Sequence, residues 1–454
     1  MLLKIIYNFL AVPLIYIAVS FAGFFNSRIR KTVNARSGII EDLTKNRLKI
    51  NPYRTTVLFH CSSMGEYRQI LPVAEALESD PERQYNLILS LYSPSAYENI
   101  DRSDSLFCIV TYSPLDFYFV TRKFINIINP DIVLISKHDV WPNFLWELKR
   151  RDVPVYLVNA LFADDTKMDI WYIRFFYKAV FSALTGILTV NETHRQRFLK
   201  IYPYADRIEV TGDTRFDTVY TEALTDIKLE KMETILSRKK VFVAGSTWPV
   251  GERYLLSAWE KIIKKHPEAF LVLVPHEVNA DHIYKLESMC QERKFRTVVY
   301  TEISEKDDLS EYDVLIVDII GILSKIYRYG SIAYVGGGFS RYGIHSVLEP
   351  AAYGLPVTFG PNLDKSPEAK EMNRLNCGII FNNAYDLFNT VDTLWSDDKL
   401  YEKVSEISSD FIVSNSGASK RIQQKIQQVT SVQKFDKNIS LTEEEFEKLI
   451  NDGK

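Results

Sequence analysis

The sequence predicts an α/β protein of two doubly wound, Rossmann-like domains facing a cleft, with an apolar helix in front of them. Three observations carry this. The chain has 454 residues, room for two or three domains at roughly 150 residues each. Short β-branched runs alternate with amphipathic stretches, twice over, as in parallel sheets covered on both faces. Apolar residues also crowd the N-terminus. The averages are otherwise ordinary, with 46% apolar residues, 25% charged residues and a net charge of −3. They exclude a disordered chain, a multi-spanning membrane protein and a polycation that binds nucleic acid through global charge. Four separated cysteines, Cys61, Cys108, Cys290 and Cys377, contain no CxxC pair. They point to neither a disulfide framework nor a zinc site, and to a reducing compartment.

Phe9 to Phe25 is seventeen residues without a charge, and Ile5, Ile6 and Tyr7 extend it, interrupted by Asn8. About twenty such residues can cross a hydrocarbon core of ~30 Å. The run passes directly into Arg28, Arg30 and Lys31, unlike the short apolar core and small-residue cleavage site of a signal peptide. Residues 1–27 are therefore read as an uncleaved membrane anchor or interfacial helix. A signal peptide and a buried core helix are the alternatives. Lys4 alone precedes the run and the stronger basic cluster follows it, which places the bulk of the chain in the cytoplasm. Between Arg28 and Lys49, seven basic residues stand against two acidic ones, a net +5. That suits anionic or phosphorylated lipid, or a solvated linker that merely obeys the topology rule.

Strands are expected at Thr55–His60, Leu87–Leu91, Asp131–Ile135, Val155–Val158 and Gly186–Val190. Helices are expected between them at Tyr67–Leu77, Phe117–Ile127, Asn143–Arg150 and Thr193–Ile201. The second set of strands is Val241–Ala244, Phe270–Val274, Thr297–Tyr300, Asp313–Val317, Ile332–Val335 and Pro356–Phe359. Its helices are Glu252–Lys264, Ala280–Glu292, Ile320–Tyr329 and His345–Tyr353. Asp217–Lys240 is charged, helical and strandless, the best linker candidate. The divisions follow as 1–27, 28–220, linker 221–239, 240–415 and C-terminal helices 416–454. Thr442 with Glu445 forms a capping box for a last helix.

In such sheets ligands sit at the carboxyl ends of strands, so chemistry is sought in the loops that follow them. The first body strand ends in His60-Cys61-Ser62-Ser63-Met64-Gly65-Glu66. Glu66 at a helix start is favoured by the macrodipole and suits a general base, or simply an N-terminal Glu. A later loop, Ser136-Lys137-His138-Asp139-Val140-Trp141-Pro142-Asn143, holds three ionisable residues and a Trp. It fits phosphate or sugar binding, or a capped loop with a packed Trp. In the second half, Gly336-Gly337-Gly338 follows a strand and precedes His345 and Glu349. Glycines let backbone N–H groups approach a phosphate, and they also make plain turns. The pattern is not GxGxxG, so a dinucleotide site is poorly supported. Gly245-Ser246-Thr247-Trp248 offers a second set of donors.

Together these segments resemble the Kdo transferases (3-deoxy-D-manno-octulosonic acid transferases), glycosyltransferases of the GT-B fold. The resemblance runs from the anchor to about Ile422. Its motifs are FHCSSMGE at 59–66, KHDVWPN at 137–143, VNA at 158–160, TGDTRFD at 211–217, AGSTW at 244–248, VPHE at 274–277 and YVGGGF…GIHSVLEPAAYGLPVTFGP at 334–361. The resemblance implies transfer of Kdo from CMP-Kdo to a hydroxyl of the lipid A precursor, lipid IVA, with inversion and without a metal or cofactor. It implies an enzyme on the cytoplasmic face of the inner membrane, and no nucleic acid partner. It makes 28–220 the acceptor-binding domain and 240–415 the CMP-sugar-binding domain. Glu66 matches the catalytic carboxylate. Donor contacts fall on Arg215, Ser246, Thr247, Pro275, His276, Gly336, Gly337, Gly338, Ile344, His345 and Glu349. Arg215 would pair with the donor carboxylate or the departing phosphate, and Glu349 would bind the ribose. Acceptor contacts fall on Ser63, Gly65, Lys137, His138, Asp139 and Trp141, with Arg28, Arg30 and Lys31 meeting lipid phosphates.

Two departures stand out. Where many members have Glu-x-Glu before Trp-Pro-Asn, this chain has Lys137-His138-Asp139, so no carboxylate role carries over to Lys137. The family's TGN reads Thr211-Gly212-Asp213. Two other functions compete: a GT-B enzyme with a UDP-sugar donor, and a catalytically degenerate, membrane-tethered binding protein.

Overall fold

The computed structural model describes residues 2–100, 106–162, 170–225, 228–237, 240–304, 309–341 and 343–431, with backbone only at Arg28, 234–237 and Ser310. The chain divides into two units. One is Met1–Thr218 together with the segment from Gly417, and the other is Val219–Ser416.

The first unit is built on β1 (Thr55–Cys61), β2 (Tyr85–Leu91), β3 (Ile109–Tyr112), β4 (Ile132–Ser136), β5 (Val155–Ala160), β6 (Gly186–Thr189) and β7 (Ile208–Val210). They form one seven-stranded sheet in the order β3-β2-β1-β4-β5-β6-β7. Each neighbouring pair is parallel; Val57, for instance, lies opposite Leu87 on one side and Ile132 on the other. Side chains alternate between the faces. Leu58, Ile88 and Val133 join one apolar cluster, and Val57, Phe59 and Leu87 join another. The first cluster is capped by Tyr7, Val12, Ile39 and Leu43 from the N-terminal segment. The second takes Ile422 and Ile426 from the helix at 418–431. A fully buried side chain of this size contributes about 1.5–3 kcal/mol, so both covers are integral to the unit.

The second unit holds β8 (Val241–Thr247), β9 (Phe270–Pro275), β10 (Thr297–Val299), β11 (Val314–Ile316), β12 (Ile332–Val335), β13 (Val357–Phe359) and β14 (Gly378–Ile380). Their order is β10-β11-β9-β8-β12-β13-β14, again parallel throughout. In each sheet the winding reverses beside its first strand, at β1/β4 and at β8/β12. Those are the switch points where open α/β sheets leave a crevice for ligands.

The two sheets agree with the expected fold class, and the differences are local. Three strands were not expected: β3, β7 and β14. Each has three or four residues and lies at a sheet edge, too short to show a period of two. The helix expected at His345–Tyr353 is confined to Leu348–Ala352, because Gly343 takes φ +90° and the chain before it stays irregular. The helix expected at Ile320–Tyr329 is one α-turn, Leu323–Ile326, followed by a 3₁₀ turn. Asp217, where the helical linker was expected to begin, lies inside the helix Thr214–Leu224. The capping box at Thr442 lies outside the described residues.

At the N-terminus, helix runs from Leu2 to Phe25, 24 residues, long and apolar enough to cross a membrane. It widens into a π-turn at Tyr7–Ala11, just before Pro13, which has no N–H for the carbonyl four residues back.

Candidate active site

The loop after β1 starts the helix Met64–Glu78. Ser63 is its N-cap, and its hydroxyl accepts from the Glu66 amide at 3.3 Å. The Glu66 carboxylate turns back, and its Oε2 accepts from the Ser62 amide at 2.6 Å. This is a capping box shifted by one residue. Glu66 is buried, at 6% exposure. Oε2 is thus held, while Oε1 has no partner among the described residues. Gly65 is exposed beside it. Cys61 of the same motif is fully buried; burial first, then the charges of Glu66 and Asp139, push its thiol up, so it is a packing residue.

The loop after β4 faces the same switch point. Lys137 occupies the left-handed region at φ +58°, a strained conformation for a residue with a Cβ. That turn presents His138 outward and leaves Asp139 half-buried. Asp139 Oδ2 lies 3.1 Å from His60 Nε2. The other ring nitrogen of His60 lies 3.1 Å from Ser113 Oγ and 3.4 Å from Ser90 Oγ. Burial raises the Asp139 carboxyl, but the hydrogen bond and charge of His60 outweigh it and hold it below the ordinary aspartate value. Trp141 stacks on Tyr92 with centroids 5.5 Å apart. His60 was not singled out from the sequence. A histidine inside an otherwise apolar strand, at the end that meets the motif, was the available signal.

Several motif residues are occupied with structure. Asn143, 3% exposed, donates its amide N–H to Asp116 Oδ2 and its side chain to the Asp116 carbonyl. Asn159 and Thr214 bond each other across two motifs. Asp217 accepts from the amides of Gly417 and Ala418, capping the helix at 418–431. Arg215, expected on the donor, places its guanidinium Nε and Nη2 on Asp213 Oδ2 at 2.8 and 2.6 Å. The acid that replaces the family's Asn is therefore the ion-pair partner of that arginine. Among the basic residues, Lys31 pairs with Glu98 at 2.6 Å, and Arg30 shares a surface pocket with it. The Arg28 side chain lies outside the described residues.

The second unit's switch point is made largely of backbone. β8 bulges between Gly245 and Thr247, with Ser246 at φ +50°. A Cβ on Gly336 would lie 1.9 Å from the Ser246 carbonyl oxygen, and one on Gly337, which takes φ +100°, 2.1 Å from the Gly343 carbonyl oxygen. The glycines are thus required by backbone packing itself. The amide of Gly336 donates to Gly245. Those of Gly337 and Gly338 have no partner among the described residues. Thr247 donates to Glu252 Oε1 at 2.8 Å, and Glu252 Oε2 lies 3.0 Å from His282 Nε2.

Three rings complete this site. Trp248 Nε1 donates to His345 Nε2 at 2.9 Å with the rings almost coplanar. His276, next to Pro275, stacks on both, at 4.8 and 4.3 Å. Burial, and then the neighbouring His276, hold His345 below the usual histidine value, consistent with a neutral ring accepting from Trp248. Ile344 is half-buried beside it. Glu349 lies in the first turn of Leu348–Ala352, close enough to Tyr327 to raise its phenol further, after burial. Trp248 belonged to a quoted motif without being assigned a contact. Among the described residues, no group of three or more His, Cys, Asp or Glu side chains is arranged to hold a metal ion.

Comparison with known proteins bears on the family and the fold. Residues 31–218 match the family described as 3-Deoxy-D-manno-octulosonic-acid transferase (kdotransferase). A bifunctional glycosyltransferase/methyltransferase of Fusobacterium nucleatum is 24% identical over 387 residues, 84% of this chain and 58% of that one. The chain thus spans little more than half of that relative. A 3-deoxy-D-manno-octulosonic acid transferase of Chlamydophila psittaci is 27% identical over 322 residues, 69% of this chain and 71% of that one. In fold, the chain is similar to the UDP-GlcNAc 2-epimerase of Neisseria meningitidis, with a TM-score of 0.58 and 17% identity over 82% of this chain and all of that one. The epimerase likeness speaks for the two-sheet architecture alone. Over residues 31–218 the first unit is thus similar to the Kdo transferase family of glycosyltransferases, and the two-sheet architecture is that of the GT-B fold.

Proposed function

We propose that this chain transfers Kdo from CMP-Kdo to a hydroxyl of the lipid A precursor, lipid IVA, during assembly of the lipopolysaccharide core. The observation that carries the chemistry is Glu66. One oxygen is fixed by the Ser62 amide and the other has no partner among the described residues, at the switch point of the sheet in the unit that the family model matches. In this reading Glu66 removes the proton of the acceptor hydroxyl as its oxygen attacks the anomeric carbon. The bond to the CMP phosphate breaks, the phosphate leaves with the electron pair, and the configuration inverts without a metal.

Supporting this, the Gly337 and Gly338 amides are available for the departing phosphate, whose charge such donors stabilise. Ser246, Thr247, Pro275, His276, Ile344 and His345 line the donor side, and Glu349 takes the ribose. Ser63, Gly65, Lys137, His138, Asp139 and Trp141 form the acceptor side, where Lys137 adds a cation suited to an acceptor phosphate. Arg28, Arg30 and Lys31 meet the membrane surface, with the transferase units in the cytoplasm.

The test is incubation with CMP-Kdo and tetraacylated lipid A precursor, followed by mass spectrometry. A product heavier by one or more Kdo residues is expected. In parallel, CMP should raise the melting temperature and UDP should not. No product, with stabilisation by UDP, would favour a UDP-sugar enzyme.

A further inference from the structure

The N-terminal helix is seated on the first unit by polar contacts that a freely spanning segment would not make. The Tyr7 hydroxyl donates to Asp116 Oδ2 at 2.9 Å. The side-chain amides of Asn8 and Asn143 exchange two hydrogen bonds, at 2.9 and 2.8 Å. Lys4 Nζ lies 5.3 Å from the Trp146 ring centroid, and Tyr16 meets Phe117 at 5.1 Å. Tyr7 and Val12 are buried in the core cluster, with Leu3 and Ala11 packed against it.

Beyond Tyr16 the helix has only Ile17–Phe25, nine residues, about 14 Å long and less than half of a hydrocarbon core of ~30 Å. The chain then returns. Gly23 lies against the backbone of Arg30 in the next helix, Ser27–Asn34. That helix leads to Arg36, buried, which donates to the carbonyls of Ser113 and Tyr92 at 2.8 and 2.7 Å. Both ends of the hairpin are therefore tied to the unit. Lifting the helix off to span a bilayer would carry Tyr7 and Asn8 into lipid without their partners and cost Asp116 one hydrogen bond and Asn143 two, and each group left unpaired in lipid costs several kcal/mol.

A second apolar surface adjoins it. On the helix Trp171–Phe181, Trp171 is 77% exposed and Phe175 61%, with Tyr172 beside them. Phe176 of that helix lies 6.4 Å from Tyr7, so the two surfaces are continuous. Helical spacing puts Arg174 and Lys178, both exposed, along the flank of Trp171 and Phe175. Aromatic rings flanked by basic side chains are the composition of an in-plane membrane element facing anionic head groups.

We propose that the N-terminal helix does not cross the bilayer but lies in its surface while docked on the first unit, and that Trp171, Tyr172 and Phe175 enter the same leaflet. This rests on the membrane association proposed above.

The test adds the full chain, carrying a protease-cleavable tag before Met1, to preformed vesicles of phosphatidylethanolamine and phosphatidylglycerol. The chain should float with the vesicles, and protease should remove the tag equally with and without detergent. A chain that floats but loses its tag only in detergent spans the bilayer, and the in-plane proposal is then wrong. A chain that does not float overturns the membrane reading itself. Trp171→Ser with Phe175→Ser alters only exposed positions and should lower the floating fraction on the order of tenfold at limiting lipid. Unchanged flotation of that variant would remove the second surface from the proposal.

Discussion

At the carboxyl end of β1 the first sheet gathers ionisable side chains, Glu66, His60 and Asp139, each held by a specific partner. At the matching place in the second sheet, beside β8 and β12, the chain presents backbone amides and three stacked rings. The topology at the two places is alike: parallel strands, a reversal of winding and loops aimed at a crevice. The difference lies in what the loops carry. One set offers groups that can move a proton, and the other offers amides and ring faces.

The comparison is most easily broken at Glu66. Glu66→Gln keeps an oxygen for the Ser62 amide but removes the base. Transfer is expected to fall roughly 10³-fold while the CMP-induced melting shift persists. Near-normal turnover would move the proton chemistry elsewhere, with Asp139 and His60 as the next pair to test.

Next comes Gly336→Ala. Its methyl would meet the Ser246 carbonyl oxygen at 1.9 Å, backbone against backbone. The expected loss is on the order of 3 kcal/mol in the second unit, read as a lower melting temperature together with loss of the CMP shift. Full stability would mean that the bulge at Ser246 yields more readily than its geometry implies.

The first unit also carries a pH dependence centred on Asp116. Burial, partly offset by the amides of Asn143 and Phe144 and by Tyr7, pushes Asp116 up to about 7. An unfolded aspartate titrates near ~3.9. The folded chain therefore keeps a proton that the unfolded chain releases. The associated stabilisation is complete below about pH 4 and is lost as pH rises through about 7. Chemical denaturation should show the parent losing stability relative to Asp116→Asn between pH 5 and 8. A constant difference would refute this. Asp139 has the opposite sign. Its value is lowered, so its contribution is present above the ordinary aspartate range and is lost as the solution is acidified.

The smallest effect is expected at Asp213→Asn. The pair with Arg215 is partly solvated, with the arginine side chain 41% exposed, so stability should change by less than about 1 kcal/mol. If Arg215 also meets the donor, freeing it should lower the KM for CMP-Kdo. An unchanged KM would leave it as a clamp on its own loop.

Both switch-point loops were legible in the sequence because the strands ahead of them, at Thr55–Cys61 and Ile332–Val335, are fully buried apolar runs that end in unmistakable turn chemistry. The duties of individual motif residues were less legible. Asn143, Asn159 and Asp217 sit in the segments that carry the family resemblance, yet they brace the fold. Their partners lie far away in the chain, Asn8 being 135 residues from Asn143 and Ser419 being 202 from Asp217. Asp116 escaped notice for the same reason, since its partner Tyr7 is 109 positions distant.

By itself the sequence determined what depends on neighbours: the periodicity that makes strands and helices, the residue types at strand ends, and an N-terminal run apolar enough for lipid. Those follow from backbone sterics and local burial, which act over a few residues. Tertiary structure alone decided which polar groups met. It joined His60 to Asp139 and folded the apolar helix against Asp116 and Asn143. A buried polar group must find its partner wherever the packing brings one, and the order of residues along the chain does not name it.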